Sequence, residues 1–370
     1  MRPRQLIQVS AYYPPHLGGQ ENAVCDLAGQ LAAAGHQVQV VTSTLGGGVV
    51  GSCLEAGVRV SRLPAFVFGH APIMPWLPYA LLWLSRTNSL VHLHIGQAFT
   101  PEMVWLVSKL RGLRYVAELH IDFEPSGPVG VLLPLYKRLI LGPVLRSASA
   151  VVVLNEPMLR AVREVYGYTG PAQIISNGID EAYFALKRPP LAHQLPQTLR
   201  LLFVGRLSKQ KNLAALIEAL AITKQNVRLD VVGDGEERAS LECLIAHYGL
   251  TNVTLHGRLE RTEVMKFYVT CDALIMPSLY EAQPLVLLEA MAARLPIIGT
   301  NVVGVAEHIA GAGIVVEPTP AGLAEGFGQY GRRYAELPAM VERGYARAQQ
   351  RCWPRLLKDY EALYDAAARD

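Results

Sequence analysis

Signals for β-strands and α-helices alternate along most of this chain of 370 residues. The pattern begins with a predicted strand over Gln5–Ser10, a Pro/Gly loop, an amphipathic helix from about Glu21 to Ala34, and a strand over Val38–Thr42. This order is typical of parallel sheets whose strands are joined by crossover helices. Apolar runs predict further strands at Val58–Leu63, Leu90–His94, Tyr115–His120, Ala150–Leu154, Gln173–Ile175, Leu199–Gly205, Arg228–Val232, Val253–His256, Ala273–Pro277, Pro296–Gly299 and Ile314–Val316.

Residues 186–197 interrupt the alternation, because they are rich in proline and lack any periodicity. The length of the chain also favours two domains over a single core. We predict an N-terminal domain over residues 1–187, a linker over 188–198, a second domain over 199–352 and a C-terminal helix over 353–370. The predicted fold is α/β, with two doubly wound, Rossmann-like domains facing across a cleft.

The composition excludes several classes of protein. Hydrophobic residues make up 51% and charged residues 18% of the chain, which is globular rather than disordered. A net charge of +3 without a Lys/Arg-rich run argues against a nucleic-acid partner. The five cysteines are scattered and form no C-x-x-C pair, so we expect reduced thiols in a cytoplasmic protein. No apolar signal segment precedes the first strand, and the apolar stretch Ala71–Leu84 is too short to span a bilayer.

Two glutamates, Glu281 and Glu289, bracket an unusually apolar segment. Residues 284–293 are apolar all round, which predicts a helix buried on every face, with Pro284 at its first position. A carboxylate on such a helix is costly to bury unless a donor hydrogen-bonds it, and sugar or ribose hydroxyls are suitable donors. The start of the helix also offers free N–H groups to a phosphate. These features together predict a nucleotide-sugar site.

A cationic pair follows the first strand of the second domain. Arg206 lies directly after Gly205, and Lys211 precedes Asn212, which we expect to cap the next helix. Ligands in open α/β sheets bind at the carboxyl ends of strands, where Arg and Lys can neutralise a diphosphate. Two solvated surface charges are the alternative. The acidic pair in the same domain favours the binding role.

Gly18 and Gly19 lie in the loop between the first strand and the first helix. Glycines there let backbone N–H groups approach a phosphate, although an ordinary tight turn has the same composition. No G-x-G-x-x-G pattern follows from these glycines in the loop after the first strand, which argues against a nicotinamide oxidoreductase.

With these residues in place, the chain resembles family 4 of the retaining glycosyltransferases, which have the GT-B fold. The resemblance covers nearly the whole chain, and the spacing of Glu281 and Glu289 with Arg206 and Lys211 upstream is its specific part. The other matching segments are Pro14-Pro15-x-x-Gly18-Gly19-x-Glu21, Glu118-Leu119-His120-Ile121-Asp122, Ser176-Asn177-Gly178-Ile179-Asp180, Gly205-Arg206-Leu207, Val232-Gly233-Asp234-Gly235 and the late Trp353 with its helix.

The resemblance implies roles for these residues. Glu289 would hold the ribose, Glu281 the hydroxyls of the transferred sugar, and His120 would face that sugar. Arg206 and Lys211 would bind the diphosphate. Backbone and loop contacts to the donor would come from Gly18, Gly19, Gly205, Pro284, Leu285, Val286 and the base-lining loop His256-Gly257-Arg258. The final helix would pack on the first domain.

One departure from the family pattern concerns the donor sugar. The family commonly reads Glu-Gly-Phe-Gly where this chain reads Glu281-Ala282-Gln283-Pro284. Alanine lacks the backbone freedom of glycine, and glutamine is polar where an aromatic residue is usual. The preference for the donor sugar is therefore expected to differ, with the contacts of Glu281 affected more than those of Glu289.

The implied reaction transfers a hexosyl or N-acetylhexosaminyl group from a UDP- or GDP-sugar to a hydroxyl acceptor with retention of configuration, in glycan, glycolipid or glycoside synthesis. Catalysis would rest on charge stabilisation by Arg206 and Lys211 and on positioning. The donor is the co-substrate; no cofactor and no metal are expected, since no Asp-x-Asp motif occurs. The alternatives are a nucleotide-sugar 2-epimerase, an inverting transferase of the same fold, or a non-catalytic partner that binds nucleotide sugars.

His92 and His94 lie on one face of a predicted strand, because strand side chains alternate. A metal pair would need a third ligand, and the sequence indicates none nearby, so we favour packing or site polarity. Asp122 and Glu124 have two interpretations, an acceptor contact or an ordinary loop.

Two stretches bear on the acceptor. Residues 71–84 carry Trp76, Tyr79 and Trp83, and residues 129–146 combine apolar residues with cations. We favour core-facing helices for both. The alternative is a peripheral surface that lies on an anionic bilayer, at the inner face of the membrane, and meets a lipid-linked acceptor.

Overall fold

The computed structural model describes residues 4–16, 18–45, 47–68, 71–85, 89–120, 133–191 and 194–369. The chain forms two compact units. Unit 1 comprises Met1–Gly178 with Trp353–Asp370, and unit 2 comprises Ile179–Cys352. Residues 179–187, which the sequence assigned to the N-terminal domain, belong to unit 2, because Ile179 and Tyr183 are buried in its core.

Unit 1 contains an eight-stranded sheet in the order β10-β9-β8-β7-β1-β2-β4-β3. All neighbours are parallel except β3 and β4, which form an antiparallel edge, and β5 and β6 form a separate hairpin. The strands are β1 Gln5–Val9, β2 Gln37–Ser43, β3 Gly51–Glu55, β4 Val58–Leu63, β5 Phe66–Phe68, β6 Ala71–Ile73, β7 Ser89–Ile95, β8 Tyr115–Leu119, β9 Ala150–Val153 and β10 Ala172–Ile174.

Helices cover both faces of this sheet, as parallel strands require. The helices of unit 1 that precede unit 2 are α1 Gly19–Ala33, α2 Leu77–Leu84, α3 Thr100–Arg111, α4 Leu133–Tyr136, α5 Gly142–Arg146 and α6 Glu156–Glu164, with a π-helical turn over Lys137–Leu141 between α4 and α5. One core lies on the side of α2, α3, α5 and α6, and it includes Leu77, Val104, Val144 and Val162.

Unit 2 is a second doubly wound domain with a six-stranded parallel sheet in the order β13-β12-β11-β14-β15-β16. Cores lie on both sides of it, around Phe203 and Leu229 on one side and around Leu274 and Leu288 on the other. The strands are β11 Leu199–Val204, β12 Val227–Val232, β13 Val253–Gly257, β14 Ala273–Met276, β15 Ile297–Thr300 and β16 Ile314–Val316. The helices are α7 Glu181–Phe184, α8 Leu213–Ile222, α9 Arg238–His247, α10 Arg261–Thr270, α11 Leu285–Ala292, α12 Ala306–Ile309, α13 Pro320–Arg332 and α14 Leu337–Gln349, with 3-10 turns at Lys209–Lys211 and Tyr334–Glu336.

The C-terminal helix α15, Trp353–Arg369, covers the other face of the unit 1 sheet together with α1. Trp353, Tyr360 and Tyr364 are buried there against strand residues such as Val116. The amino-terminal halves of the strands are apolar on this face. Towards their carboxyl ends the same face becomes polar and carries Gln8, Thr42, His92, His94, Glu118 and His120, all buried.

At the start of α15, the Trp353 ring packs closely against Gly178, and this contact helps to attach the helix to unit 1. A Cβ atom on Gly178 would overlap the indole ring of Trp353, whose side chain is buried. Because this ring cannot move away without disturbing the core, we expect Gly178→Ala to destabilise the protein by about 2 kcal/mol, the range of an overpacked core. Urea unfolding followed by circular dichroism measures the effect.

Gly29→Ala is the matched control for this change. Gly29 lies inside α1 and has open space around its Cα atom, so alanine there should be neutral or stabilise by about 0.5–1 kcal/mol through helix propensity. Equal unfolding midpoints for the two variants would contradict the packing argument.

Candidate active site

Strand order in unit 2 reverses between β11 and β14, which are neighbours in the sheet although β12 and β13 lie between them in sequence. The connections on the two sides of this point run in opposite directions. Ligands of open α/β sheets bind at the carboxyl ends of the strands at such a point. The segments that follow β11 and β14 therefore define the candidate site.

Lys211 and Glu281 meet at this point. Lys211 closes the 3-10 turn after β11, and its Nζ atom lies 2.5 Å from Oε1 of Glu281, which follows β14. The Ser278 hydroxyl donates to the same oxygen at 2.7 Å. The two side chains are 18% and 8% exposed, so the ion pair is largely shielded but can still be reached from solvent. The structure thus joins one predicted cation to one predicted acid.

The backbone around Glu281 is held by the neighbouring loop. The N–H of Glu281 donates to the Val303 carbonyl at 3.2 Å, and Gly304 has a φ of +79°. A Cβ atom on Gly304 would overlap the Glu281 carbonyl, so this position needs glycine for both its conformation and its space. The hydroxyl of Thr300 donates to the Ser278 carbonyl at 2.6 Å and fixes the other end of the turn.

Asn212 does not cap α8 in the way that the sequence predicted. It precedes the helix in a left-handed conformation, with a φ of 54°, and its side chain makes no capping bond. Its amide instead donates to the carbonyls of Pro277 and Pro318, at 3.1 and 3.2 Å. Asn212 therefore ties the Lys211 turn to the segment that follows β14.

Helix α11 differs from its prediction in two respects. Pro284 precedes the helix, because its ψ of 116° is extended, and Leu285 is the first helical residue. The helix is also not buried on every face, since Leu285, Val286 and Glu289 are only partly buried and lie on one side.

Glu289 has a protein donor that the sequence did not reveal. The hydroxyl of Tyr268, a fully buried residue on α10, donates to Oε2 of Glu289 at 2.7 Å. Burial and the charge of Glu289 hold the pKa of Tyr268 well above its usual value, so this hydroxyl keeps its proton. The carboxylate therefore does not depend on a sugar hydroxyl for its stabilisation.

Arg206 is exposed, and its side chain lies 3.1 Å from Glu236. It follows Gly205, which the structure brings against Gly233; a Cβ atom on Gly233 would overlap the Gly205 carbonyl. In the loop predicted to line the base, Arg258 is exposed and Gly257 has a φ of +73°. His256 in this loop contacts Asp230, with 2.8 Å between Nε2 and Oδ1.

In unit 1 the corresponding reversal of strand order lies between β1 and β7. Gly18 immediately precedes α1 in an extended conformation that any residue can adopt, so the need for glycine there is one of space. The carboxylate of Glu21 fills that space, and its Oε1 lies 3.2 Å from Nδ1 of His16. Gly19 is the first residue of α1.

His92 and His94 have the neighbour that the sequence did not indicate. Register pairs His94 with Glu118 on β8, and the Glu118 carboxylate lies 3.0 Å from His92 Nε2 and 3.7 Å from His94 Nδ1. These three groups are close enough together to hold a metal ion. His120 is also part of this cluster, because its Nε2 lies 3.0 Å from His94 Nδ1. Asp122 and Glu124 lie outside the described residues.

The two stretches that bear on a membrane differ in part from the core-facing prediction. Helix α2 turns Leu77 and Leu81 to the core. Trp76, Tyr79 and Trp83 form its other side, which we name the aromatic face, and they are 59%, 67% and 76% exposed. Residues 129–132 lie outside the described residues. No helix in the described part of the chain is long and apolar enough to cross a bilayer.

Sequence reasoning also missed Tyr268, Ser278 and Gly304 at the site. Tyr268 and Gly304 are distant in sequence from the groups they contact, and no local motif marks them. Ser278 directly follows the predicted strand 273–277, where the carboxyl-end rule marks a candidate.

The Lys211–Glu281 pair has a measurable effect on stability. Lys211→Met leaves a shielded carboxylate without its cation, so we expect a loss of about 2 kcal/mol. Adding Glu281→Gln should recover part of that loss, which gives a coupling energy of about 1 kcal/mol or more in a double-mutant cycle. Lys209→Met, an exposed position in the same turn, is the control and should change stability by less than about 0.5 kcal/mol. Additive effects in the cycle would show that the two groups do not interact.

Two family models match this chain, and each of them covers roughly one of the two units. Residues 17–183 match the family described as Glycosyltransferase Family 4, and residues 192–345 match Glycosyl transferases group 1. A glycogen synthase of Mycobacterium tuberculosis is 29% identical over 99% of this chain and 95% of its own length.

Solved structures share the fold over nearly the whole chain. Sucrose-phosphate synthase from Thermosynechococcus elongatus has a TM-score of 0.80 at 21% identity and covers 98% of both chains. Anabaena HepE in complex with UDP-glucose has a TM-score of 0.74 at 19% identity, covering 99% of this chain and 100% of its own. The chain therefore belongs to the family 4 glycosyltransferases and has their two-domain α/β fold, GT-B.

Proposed function

We propose that this glycosyltransferase moves a hexosyl or N-acetylhexosaminyl group from a UDP- or GDP-sugar to a hydroxyl acceptor, with retention of configuration. The observation that carries the proposal is the Lys211–Glu281 pair at the reversal point of the unit 2 sheet, beside the start of α11. One cation, one carboxylate and free backbone N–H groups are the chemistry that a sugar diphosphate requires.

Lys211 and Arg206 would bind the diphosphate. Arg206 is exposed and pairs with the exposed Glu236, so exchanging that partner for phosphate costs little. Lys211 pairs with Glu281, and this ion pair fixes the position of its ammonium group. The N–H groups of Leu285 and Val286 at the start of α11 would add hydrogen bonds to the phosphate.

Glu281 and Glu289 would bind hydroxyl groups. Glu281 already accepts from Lys211 and Ser278 and would add a hydroxyl of the transferred sugar. Glu289 is held by Tyr268 and lies on the partly exposed side of α11, where it would accept from the ribose. His120 would contact the transferred sugar, as the family resemblance implies.

We expect retention of configuration because the proposed reaction does not need a basic side chain on the face opposite the leaving diphosphate. The leaving phosphate oxygen would accept the proton of the acceptor hydroxyl, while Arg206 and Lys211 stabilise the charge that grows on the diphosphate. The acceptor attacks from the same face, so configuration is kept. No cofactor and no metal take part in this scheme.

The acceptor is proposed to be lipid-linked, because the surface of one layer of unit 1 fits an anionic bilayer. Helices α2 and α3 and the segment 133–146 pack side by side on one face of the sheet. Leu106 and Leu110 on α3 and Leu139 in the segment 133–146 are exposed as well. Tryptophan and tyrosine among aliphatic residues are suited to the interface of a membrane.

Charge on the same layer favours anionic lipid. Lys109, Arg111 and Arg138 are exposed there. Among the described residues of α2, α3 and segment 133–146, Glu102 is the only acid, and Tyr136 donates to it at 2.7 Å while burial raises its pKa. The layer therefore presents positive charge beside apolar side chains, the combination that binds anionic interfaces.

Donor binding is tested by thermal shift with a panel of UDP- and GDP-sugars, followed by nucleotide release with candidate acceptors. The preferred donor should raise the melting temperature, because it binds only the folded state. Lys211→Ala and Glu289→Ala should remove most of that shift and lower kcat/KM about 100-fold, the loss expected when a charged hydrogen-bonding partner of the donor is removed.

Lys209→Ala is the control for these variants, since it removes an exposed cation two residues from Lys211. It should bind donor and release nucleotide like the wild type. If Lys211→Ala and Glu289→Ala also behave like the wild type, the site assignment is wrong. Release of nucleotide without formation of a glycosylated acceptor would contradict transfer to an acceptor.

Membrane contact is tested by sedimentation with vesicles of phosphatidylcholine alone and with added phosphatidylglycerol. Binding should require the anionic lipid and weaken as salt is raised. Trp76→Ser with Trp83→Ser should reduce vesicle binding about tenfold or more, because it removes two large apolar side chains from the interface. Ile222→Ser, which changes an exposed apolar residue of unit 2, should leave binding unchanged. Absence of binding to both kinds of vesicle would refute the proposal.

A further inference from the structure

A buried polar cluster in unit 1 joins the C-terminal helix to His120. Its members are His92 and His94 on β7, Glu118 on β8, His120 after β8, and Tyr360 and Tyr364 on α15. None of these side chains is more than 5% exposed. A group of this size buried between sheet and helix needs each proton in a defined place, because an unpaired buried donor is costly.

The direction of the outer hydrogen bonds is set by Glu118. Burial opposes its ionisation, but the nearby His120 and His92 and the Tyr360 hydroxyl hold the pKa of Glu118 below its usual value on balance. An ionised carboxylate only accepts, so the Tyr360 hydroxyl donates to its two oxygens at 3.2 and 3.1 Å.

His92 is ordered by the same charge. Its Nε2 lies 3.0 Å from Glu118 Oε2, outside hydrogen-bond geometry but close enough for the negative charge of the carboxylate to favour a proton on that nitrogen. Its Nδ1 then accepts from the Tyr364 hydroxyl at 2.8 Å. All protons in this part of the cluster therefore point towards Glu118.

The inner contact joins His94 Nδ1 to His120 Nε2 at 3.0 Å, and one proton must lie between them. Burial lowers the pKa of both rings, so each is neutral and carries a single proton. Glu118 oxygens lie 3.7 Å from each of the two nitrogens and favour a proton in this contact. The remaining question is whether this proton is bonded to His94 Nδ1 or to His120 Nε2.

His94 decides it. Its Nε2 is buried and has no hydrogen-bond partner among the described residues. If His120 donated to His94, the remaining proton of His94 would sit on this Nε2 as an unpaired buried N–H. If His94 donates, Nε2 is only an unpaired acceptor, which is the less costly arrangement. His94 therefore carries its proton on Nδ1, and His120 carries its own on Nδ1.

We propose that Glu118 and His94 are positioning residues that fix His120 as the Nδ1–H tautomer, so that His120 donates a hydrogen bond to an oxygen of the bound substrate and does not act as a base. This inference rests on the proposed function, in which His120 contacts the transferred sugar. A donor at this point suits a sugar hydroxyl or a phosphate oxygen, both of which accept. Tyr360 and Tyr364 make the C-terminal helix part of the same device.

A metal ion would be the competing occupant of His92, His94 and Glu118. Each of these groups already has a protein partner: Tyr364 for His92, His120 for His94 and Tyr360 for both oxygens of Glu118. A metal would displace the proton between His94 and His120 and the proton between His92 and Glu118. The hydrogen-bonded arrangement is therefore the one that we assign.

The tautomer is measured directly by nitrogen NMR of histidine side chains in the 15N-histidine-labelled protein at neutral pH. The His120 signals, identified by their loss in His120→Asn, should show a protonated Nδ1 and a bare Nε2. Glu118→Gln should give a mixture of tautomers. A protonated Nε2 in the wild type would overturn the inference. This readout needs no turnover, so it stands or falls independently of the proposed function.

Activity supplies the second test. The amide of Asn reaches the place of Nδ1 and that of Gln the place of Nε2, so His120→Asn should keep kcat within about tenfold of the wild type and His120→Gln should lose about 100-fold, the loss of one aligned donor. The opposite order, in variants whose circular dichroism spectra are unchanged, would overturn the inference.

Tyr360→Phe and Tyr115→Phe form a matched pair. Both remove a buried hydroxyl from unit 1, but the Tyr115 hydroxyl donates to the Val144 carbonyl outside the cluster. Tyr360→Phe should lower kcat about tenfold with little change in the KM for donor, whereas Tyr115→Phe should leave kcat within about twofold. Equal effects would show a purely structural role. Retention of one equivalent of Zn²⁺ by the wild type after dialysis, and its loss in His92→Ala, would replace the inference with a metal site.

Discussion

The two main sheets of this protein are parallel apart from the β3–β4 edge and are covered by helices on both faces, and this constraint decides where polar side chains can lie. Strand interiors must be apolar on each side, because helices pack there. Polar side chains are therefore concentrated at the carboxyl ends, where the chain leaves the sheet. Lys211 and Glu281 follow adjacent strands of unit 2, and His94 and Glu118 are neighbours in register in unit 1. The reversal of strand order adds the space that a ligand needs at the same edge.

The buried carboxylates show that burial of charge does not by itself indicate a ligand site. Asp230 lies within β12, is 1% exposed, and is matched by Arg200 at 3.1 Å and His256 at 2.8 Å. Glu118 is equally buried, but tyrosine hydroxyls and histidines surround it instead of a permanent cation. These donors do not cancel the negative charge of Glu118, so that charge favours protons on the histidine nitrogens that lie close to it. Position at the carboxyl edge and the identity of the partners therefore separate the two cases.

Regular elements could be predicted from the sequence wherever periodicity is local, and contacts could not be predicted wherever they depend on register. The main strands of both sheets lie within about two residues of their predicted limits because their apolar runs are continuous. Strands β3 and β5 were not predicted, since nearly all of their residues are exposed and give no alternation of burial. Strand β6 was missed because its residues belong to the stretch 71–84, for which a helix was predicted. Glu118 was missed as the neighbour of His94 because only the pairing of β7 with β8 brings them together.

Glu289 illustrates how the structure changes a question that the sequence raised. A carboxylate on an apolar helix needed a donor, and a ribose hydroxyl was one answer. Tyr268 supplies the donor within the protein, so folding does not require the ligand. The same contact has a consequence for binding, because a carboxylate whose rotamer is already fixed loses less conformational entropy when a hydroxyl arrives. Lys211 is fixed by Glu281 in the same way. Both side chains of the proposed donor site are thus held by contacts within the protein.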